Sequence, residues 1–474
     1  MCRVTPNSSD NYLGVILTMM RTNQRLFLVA LSSLIFTVVL FLFAQPWDVN
    51  EINSEILIGD ANTYLKLADS FGITAWNLAD PMAQRTPGYP AFIFVVRSLT
   101  GGPLWAVFVL QGLLHVLTAI VIFRTVKLYA SENLATVAAI VFGTSLFATW
   151  YAVHELFSET IFTLLVSLII YYLAKYVVTK PSVRSLLIVG CLIGVAVWVR
   201  PNGYWLLIPV AITLTTTAIM GISSFKIAAK NVILITVVVI AIATPWLAYN
   251  MSTWNHVALS SINGTNLLKI ASRIEEKSTS MSVEEARINV GFDEIDQIEN
   301  PFEKSSRATS LAMNYFRSNP VALARYWAIG TISWVMNVEK AIILHDLIGK
   351  SDENITARSS IESLAGRILR VIGEMSQQYY LAPILLLKQV GIVGLTFIGA
   401  FVLLTNHNRI IGTMLISTVV TFAILTGPFG FSPRFRIPAE PAIYMLASSG
   451  IPFALHWTRR SGKFLSQYLT TKTV

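Results

Sequence analysis

The sequence predicts an all-α polytopic membrane protein, and three observations carry that prediction. Of its 474 residues 54% are hydrophobic and 13% charged, with a mean hydropathy of +0.61, too apolar for a chain that folds in water. Uncharged runs of near-spanning length recur from end to end, whereas a soluble core is built from interrupted, amphipathic elements. Lysines and arginines gather at alternate turns between those runs, as retention of positive charge on the cytoplasmic side requires.

Leu26 to Phe43 is long for the core of a signal peptide and lacks a small-residue cleavage site after it, so it reads as a retained first span. Further spans are expected near residues 103–123, 134–151, 158–174, 185–199, 202–222, 231–248, 381–404, 410–427 and 438–457. Several are short, which neighbouring helices can compensate by covering their polar ends. Arg3, Arg21 and Arg25 precede the first span. Arg124 and Lys127, then Lys175, Lys180 and Arg184, then Lys226 and Lys230, Arg409, and finally Arg459, Arg460 and Lys463 mark later turns on the same side. Ten spans place both termini in the cytoplasm. Pro320 to Leu344 is apolar but interrupted by Arg325, Glu339 and Lys340; it reads as re-entrant, interfacial, or half of a crossing pair.

Residues 47–102, 249–380 and 427–438 then face outward, dividing the chain into a transmembrane module (1–248), an outward-facing subdomain (249–380) and C-terminal transmembrane helices (381–474). Between Glu275 and Glu303 nine acidic residues stand against Lys277 and Arg287, which suits a water-facing unit; such runs are more often solvated surface than chemistry. Ile361, Leu364, Ala365, Ile368, Leu369 and Ile372 recur at helical spacing among Arg358, Arg367 and Arg370, predicting a helix in the interface plane that anchors the segment or flanks a lipid's access path. Cys2 and Cys191 predict no disulfide. Zinc-type spacings, a phosphate-cradling glycine loop and internal repeats are all missing from the sequence. Membrane anchoring accounts for the net charge of +9, and no nucleic-acid partner is needed.

Chemistry is then sought among polar residues at the outer boundary of the membrane, where burial is costly. Behind the first span comes EILIGDANTYLKLADSFG, followed by QRTPGYP at Gln84 to Pro90. Asp60 and Tyr64 are four apart and share a helix face. A carboxylate held beside apolar helix can have a raised pKa and act as a general base, although Asp60 after Gly59 also reads as a helix N-cap. The fourth span opens on His154, Glu155, Ser158 and Glu159. Glu155 and Glu159 form a like-charged i, i+4 pair, unfavourable unless something binds there; Ser158 alternatively caps the span. Arg200 and Pro201 end the fifth span, and Arg434 and Arg436 precede the last. The guanidinium fork suits phosphate, though a lone arginine also snorkels to headgroups. Asp60, Glu159 and His154 are candidates to converge on a divalent metal ion.

Together these residues resemble the GT-C superfamily of integral membrane glycosyltransferases, in the branch containing protein O-mannosyltransferases and lipid A aminoarabinose transferases. The likeness lies in the acidic first outer loop with Asp60 and Tyr64, the R-x-P-G-Y-P-like Arg85, Pro87, Gly88, Tyr89 and Pro90, the acidic opening of span four at Glu159, the R-P of Arg200 and Pro201, and the late R-x-R-x-P of Arg434, Arg436 and Pro438. It covers the first 210 residues well and the last 50 moderately. Where the protein mannosyltransferases carry an acidic pair, Asp60 is followed by Ala61, a departure from their pattern that counts against a protein acceptor without removing it from the classes the resemblance implies.

The resemblance implies a helical bundle of ten or eleven spans whose first outer loop carries short interfacial helices. It further implies transfer of a sugar from a polyprenyl-phosphate donor to a lipid, glycan or protein acceptor, at the outer face of a bacterial plasma membrane. In that reading Asp60 is the base and Glu159 assists it. Tyr64, Arg85, Tyr89, His154, Glu155, Arg200, Arg434 and Arg436 bind substrate or the lipid phosphate. A lipid-linked glycan polymerase or ligase, and a lipid flippase or transporter, are the competing classes; a transporter predicts paired half-sequences with broken helices at mid-membrane.

Overall fold

The computed structural model describes residues 8–47, 60–71, 85–179, 181–336, 382–406, 408–429 and 432–471. Among them every regular element is helical, and the ten expected spans fall on helical segments, 134–151 being split between two helices and 202–222 starting on a 3₁₀ turn, Pro201–Leu206. In chain order these are α1 (Ser8–Ala44), α2 (Asp60–Ser70), α3 (Gly88–Thr100), α4 (Trp105–Lys127), α5 (Glu132–Gly143), α6 (Leu146–Val153), α7 (Glu159–Val178), α8 (Val183–Val199), α9 (Leu207–Ile219) and α10 (Phe225–Trp254). Then come α11 (Ile262–Thr279), α12 (Val283–Asn289), α13 (Phe292–Asp296), α14 (Pro301–Ser318), α15 (Pro320–Met336), α16 (Ala382–Thr405), α17 (Arg409–Thr426) and α18 (Glu440–Thr471).

Among the described residues seven helices are long and apolar enough to cross a membrane, or eight if the pair α5 and α6, bent by 51°, is one broken span. Among the expected spans outside that count, α8 has only 17 residues, and α18 carries Glu440, two prolines, Ser448, Ser449 and His456 along its first turns. The break between α5 and α6 frees carbonyls that lipid cannot satisfy. His115 answers one of them, its Nε2 standing 3.3 Å from the Gly143 carbonyl and 3.1 Å from the Thr149 hydroxyl. Within the spans several threonines turn their hydroxyls to the carbonyl four residues back, as Thr125 and Thr163 do, which gives those donors a partner away from hydrocarbon.

Helices α16 and α18 approach most closely. A Cβ on Gly399 would collide with the Leu446 carbonyl, and one on Gly450 with the Leu395 carbonyl; small residues of this kind let backbones touch where no hydrophobic force draws helices together. At one end of the bundle Glu132 pairs with Lys127 at 2.7 Å and with Arg25 at 3.6 Å. At the other end, α11 to α14 form a small unit over Leu268, Ala271, Ile274, Phe292, Ile295, Ala308 and Phe316. Its helix starts are well signalled: Ser282 and Glu285 make a capping box, and Asn300 accepts from Phe302 and Glu303 ahead of Pro301.

Pro320 to Leu344 resolves into α15 as far as Met336; the rest, with the amphipathic stretch Ile361–Ile372, lies outside the described residues.

Candidate active site

Asp60 opens α2, whose buried stripe Ala61, Tyr64, Leu67 and Ala68 lays the helix on the bundle. Its carboxylate does not spend itself on capping. One oxygen accepts from Arg85, and the other accepts from Arg434 Nη2 at 2.9 Å. Both guanidinium groups are held on aromatic faces: Arg85 over Tyr64 at 5.3 Å, and Arg434 over Phe157 at 4.8 Å and over Phe435 at 4.7 Å.

The motif around Arg85 is explained by packing. A Cβ on Gly88 would stand 2.6 Å from the backbone carbonyl of Trp198, so only glycine lets the start of α3 rest on the end of α8, two residues before Arg200. Tyr89 is fully buried, donates to Gln111 Oε1 at 2.6 Å, and meets Tyr64 edge to face at 4.8 Å; it supports the site from beneath. Gly88→Ala is therefore expected to cost about 1–3 kcal/mol through overpacking, read as a lower unfolding temperature of the detergent-solubilised protein.

Arg200 leaves α8 in extended conformation and turns onto Glu159, at 2.6 Å, with its guanidinium 5.8 Å from the Phe162 ring. Glu159 is 2% exposed and stands behind Arg200. These groups converge on a cavity of about 490 Å³, lined by Asp60, Tyr64, Arg85, Arg200 and Arg434 on the bundle side and by Asn263, Asn266, Lys269 and Arg273 of α11 on the other. Asn202, Phe162, Phe422 and Tyr326 complete its wall.

The electrostatics differ from the raised pKa expected for Asp60. Burial pushes the carboxyl up and is the largest single influence, but Arg85, Arg434 and, farther off, Arg200 together outweigh it and hold the group below the usual carboxylate range. The pairing therefore stabilises the fold at every pH above the unfolded-state value and is lost only as pH falls through the lower folded value. Correspondingly, a pH titration of the folded protein that reports Asp60 is expected to show its midpoint below the ordinary carboxylate pKa. A midpoint at pH 6 to 7 would show that Asp60 is not held this way.

Other expected site residues lie elsewhere. His154 Nδ1 faces Glu155 Oε1 at 3.3 Å, the His154 ring stacks on Trp150 at 4.5 Å, and neither residue lines the cavity. Residues 155–157 are not helical, so Glu155 and Glu159 do not share a helix face and the expected repulsion does not arise. Ser158 precedes α7 without a side-chain cap; its Oγ stands 3.4 Å from the Tyr64 hydroxyl.

Arg436 is likewise absent from the cavity. It is 2% exposed and donates to the Trp334 and Val335 carbonyls at the end of α15, both at 3.2 Å, and to Glu440 at 3.4 Å. Arg434 and Arg436 lie on a 3₁₀ turn, Pro433–Ala439. Arg436 thus anchors the turn that presents Arg434.

For a divalent metal the donors do not fit. No group of three His, Cys, Asp or Glu side chains that could hold an ion occurs among the described residues, and Asp60 and Glu159 are each already neutralised by arginine.

Residues 84–249 match the family described as dolichyl-phosphate-mannose-protein mannosyltransferase. No curated protein matches the chain significantly by sequence. Among solved structures, an oligosaccharyltransferase from Archaeoglobus fulgidus in the apo form aligns with a TM-score of 0.50 at 11% identity, over 94% of this chain and 52% of that one. The archaeal oligosaccharyltransferase AglB from Archaeoglobus fulgidus, in complex with an inhibitory peptide and a dolichol-phosphate, gives 0.47 at 13%, over 91% and 51%. ArnT from Cupriavidus metallidurans in the apo state gives 0.37 at 13%, over 88% and 78%. The chain spans about half the length of the oligosaccharyltransferases. It has the polytopic helical fold of that apo oligosaccharyltransferase, and over residues 84–249 it carries the sequence pattern of the dolichyl-phosphate-mannose-protein mannosyltransferases.

Proposed function

We propose that this protein is an inverting membrane glycosyltransferase that moves a sugar from a polyprenyl-phosphate carrier to an acceptor at the outer face of the membrane. The observation that carries the reading is a single carboxylate, Asp60, set among arginines in a half-open cavity where the end of the bundle meets α11. The family match over 84–249 and its dolichyl-phosphate donor support the same class. The basic residues at the opposite end, Arg25 and Lys127 among them, favour that end as cytoplasmic. Asp60 and its arginines then face outward, as in the plasma membrane of a bacterium.

In this mechanism an acceptor hydroxyl attacks the anomeric carbon and its proton passes to Asp60. The bond from that carbon to the phosphate oxygen breaks, and the electron pair leaves on the phosphate. Configuration inverts, and no covalent sugar intermediate forms. Arg434, Arg85 and Arg200 neutralise the leaving phosphate, each such donor contributing a few kcal/mol to the transition state. Glu159 acts through Arg200, fixing its direction. In the resting site Asp60 is a weak base because two guanidinium groups hold it; the donor's phosphate competes for them and frees the carboxylate.

A transporter is disfavoured because these groups cluster at one end of the bundle instead of mid-span. The test is to incubate the purified protein with a panel of polyprenyl-phosphate sugars and detect released polyprenyl phosphate by mass spectrometry. Release above that of an Asp60→Asn control is expected; none across the panel would sink the reading.

A further inference from the structure

The side of α11 turned to the cavity carries Asn263, Asn266, Lys269 and Arg273, separated by three, three and four positions, so they form one stripe along the helix. Two amides and two cations make a surface with donors for hydroxyl groups and for an anion, and no carboxylate interrupts it. The cavity's charges are already partly matched. Asp60 accepts from Arg85 and Arg434 and Glu159 is ion-paired with Arg200, whereas Lys269 and Arg273 enter no ion pair among the described residues. Arg273 shares the cavity wall with Tyr326.

Charge arithmetic sharpens the point. Five cations line the cavity, and Asp60 with Glu159 offsets two of them, leaving three positive charges. A phosphodiester donor brings one negative charge, and the carrier phosphate it leaves carries about two near neutral pH. Of the three, one belongs to Arg85 and Arg434, which share Asp60, and the other two, Lys269 and Arg273, lie on α11. The stripe lines the same cavity as Asp60, the carboxylate that receives the acceptor's proton; burial, and repulsion from Arg85, Arg287 and Arg273, disfavour the charged form of Lys269, while Asp60 favours it. The plainer explanation, a solvated cationic lip, leaves unexplained why both cations share a face with two amides over the cavity.

We infer that the α11 stripe is the acceptor subsite, and that the acceptor bears an anionic group, a phosphate or carboxylate, next to the hydroxyl that is glycosylated. This rests on the glycosyltransferase reading. Lys269 and Arg273 hold the anion, Asn263 and Asn266 read neighbouring hydroxyls, and the donor's phosphate stays with Arg434, Arg85 and Arg200.

The experiment uses the full chain in phosphatidylcholine nanodiscs, with polyprenyl phosphate and inorganic phosphate as probes. Saturated with polyprenyl phosphate, the wild-type protein is expected to bind one inorganic phosphate in addition. The Lys269→Gln/Arg273→Gln variant, whose changes fall on exposed residues, is expected to lose that phosphate by at least about tenfold while keeping its polyprenyl phosphate affinity and unfolding temperature. Repeating the titration with phosphatidylglycerol in the disc separates the sources: competition identifies a lipid headgroup, and its absence an anionic glycan. Loss of polyprenyl phosphate affinity in the variant would assign the stripe to the donor and overturn the proposal, as would failure of inorganic phosphate to saturate the wild type. Should the wild type bind inorganic phosphate at the stripe but no polyprenyl phosphate, the donor reading fails and the anion subsite stands.

Discussion

Asp60→Asn is expected to lower turnover by about 10²- to 10⁴-fold, the range that a positioned general base supplies, without lowering affinity for polyprenyl phosphate. The amide keeps the shape of the side chain and removes the proton acceptor. It also removes the anion with which Arg85 and Arg434 are paired in the resting site, so those arginines become more available and the carrier phosphate is expected to bind as tightly or more tightly. The two readouts move in different directions, which a general loss of folding would not produce. Turnover would be followed by mass spectrometry of released carrier, and affinity by titration with polyprenyl phosphate. Near-wild-type turnover in folded Asp60→Asn protein would remove the residue from the chemistry.

Arg436→Met is expected to have the largest effect on stability, about 3–5 kcal/mol, because it strands Glu440 as an unpaired buried charge. Glu440 is 2% exposed, and its second carboxylate oxygen already lacks a hydrogen-bond partner among the described residues. The same change releases the carbonyls at the end of α15 that Arg436 holds. Adding Glu440→Leu is expected to restore most of the stability, since an apolar pair of similar volume often replaces a buried ion pair without loss. Thermal unfolding in detergent decides the matter. If Arg436→Met alone shifts it no more than a surface substitution does, the pair is not what fastens the turn. Activity adds a second criterion. Substituting Arg436 in a background that already lacks Arg434 should cause little further loss of transfer if it acts by placing Arg434.

The transmembrane helices were readable because lipid imposes one rule on every segment, and an uncharged run such as Leu26–Phe43 obeys it visibly. Asp60, Arg85 and Arg200 were readable for the opposite reason: charges at span boundaries are rare enough to stand out. What sequence spacing cannot register is which way a side chain leaves a turn. Arg434 and Arg436 are two apart and looked equivalent, yet on the 3₁₀ turn one reaches Asp60, 374 positions away in sequence, and the other is sealed inside. His154 and Glu155 were overvalued for a related reason, since helical spacing was assumed where the chain is not helical. The α11 stripe escaped notice because Asn263, Asn266, Lys269 and Arg273 have the composition of an ordinary solvated helix face. Only the placement of α11 over the cavity gives them a task.

The setting of Arg434 has a further consequence. With the Phe157 and Phe435 rings 4.8 and 4.7 Å from its guanidinium carbon, aromatic surface lies against the group, and its polar approach is through the edge, where Nη2 already meets Asp60. A lysine there would attract any anion from any direction. Arg434 instead favours an oxyanion that approaches within one plane, so it responds to the path by which a phosphate departs as well as to its charge. In a displacement that must run in line, such a restriction selects productive orientations of the sugar before any bond has begun to break.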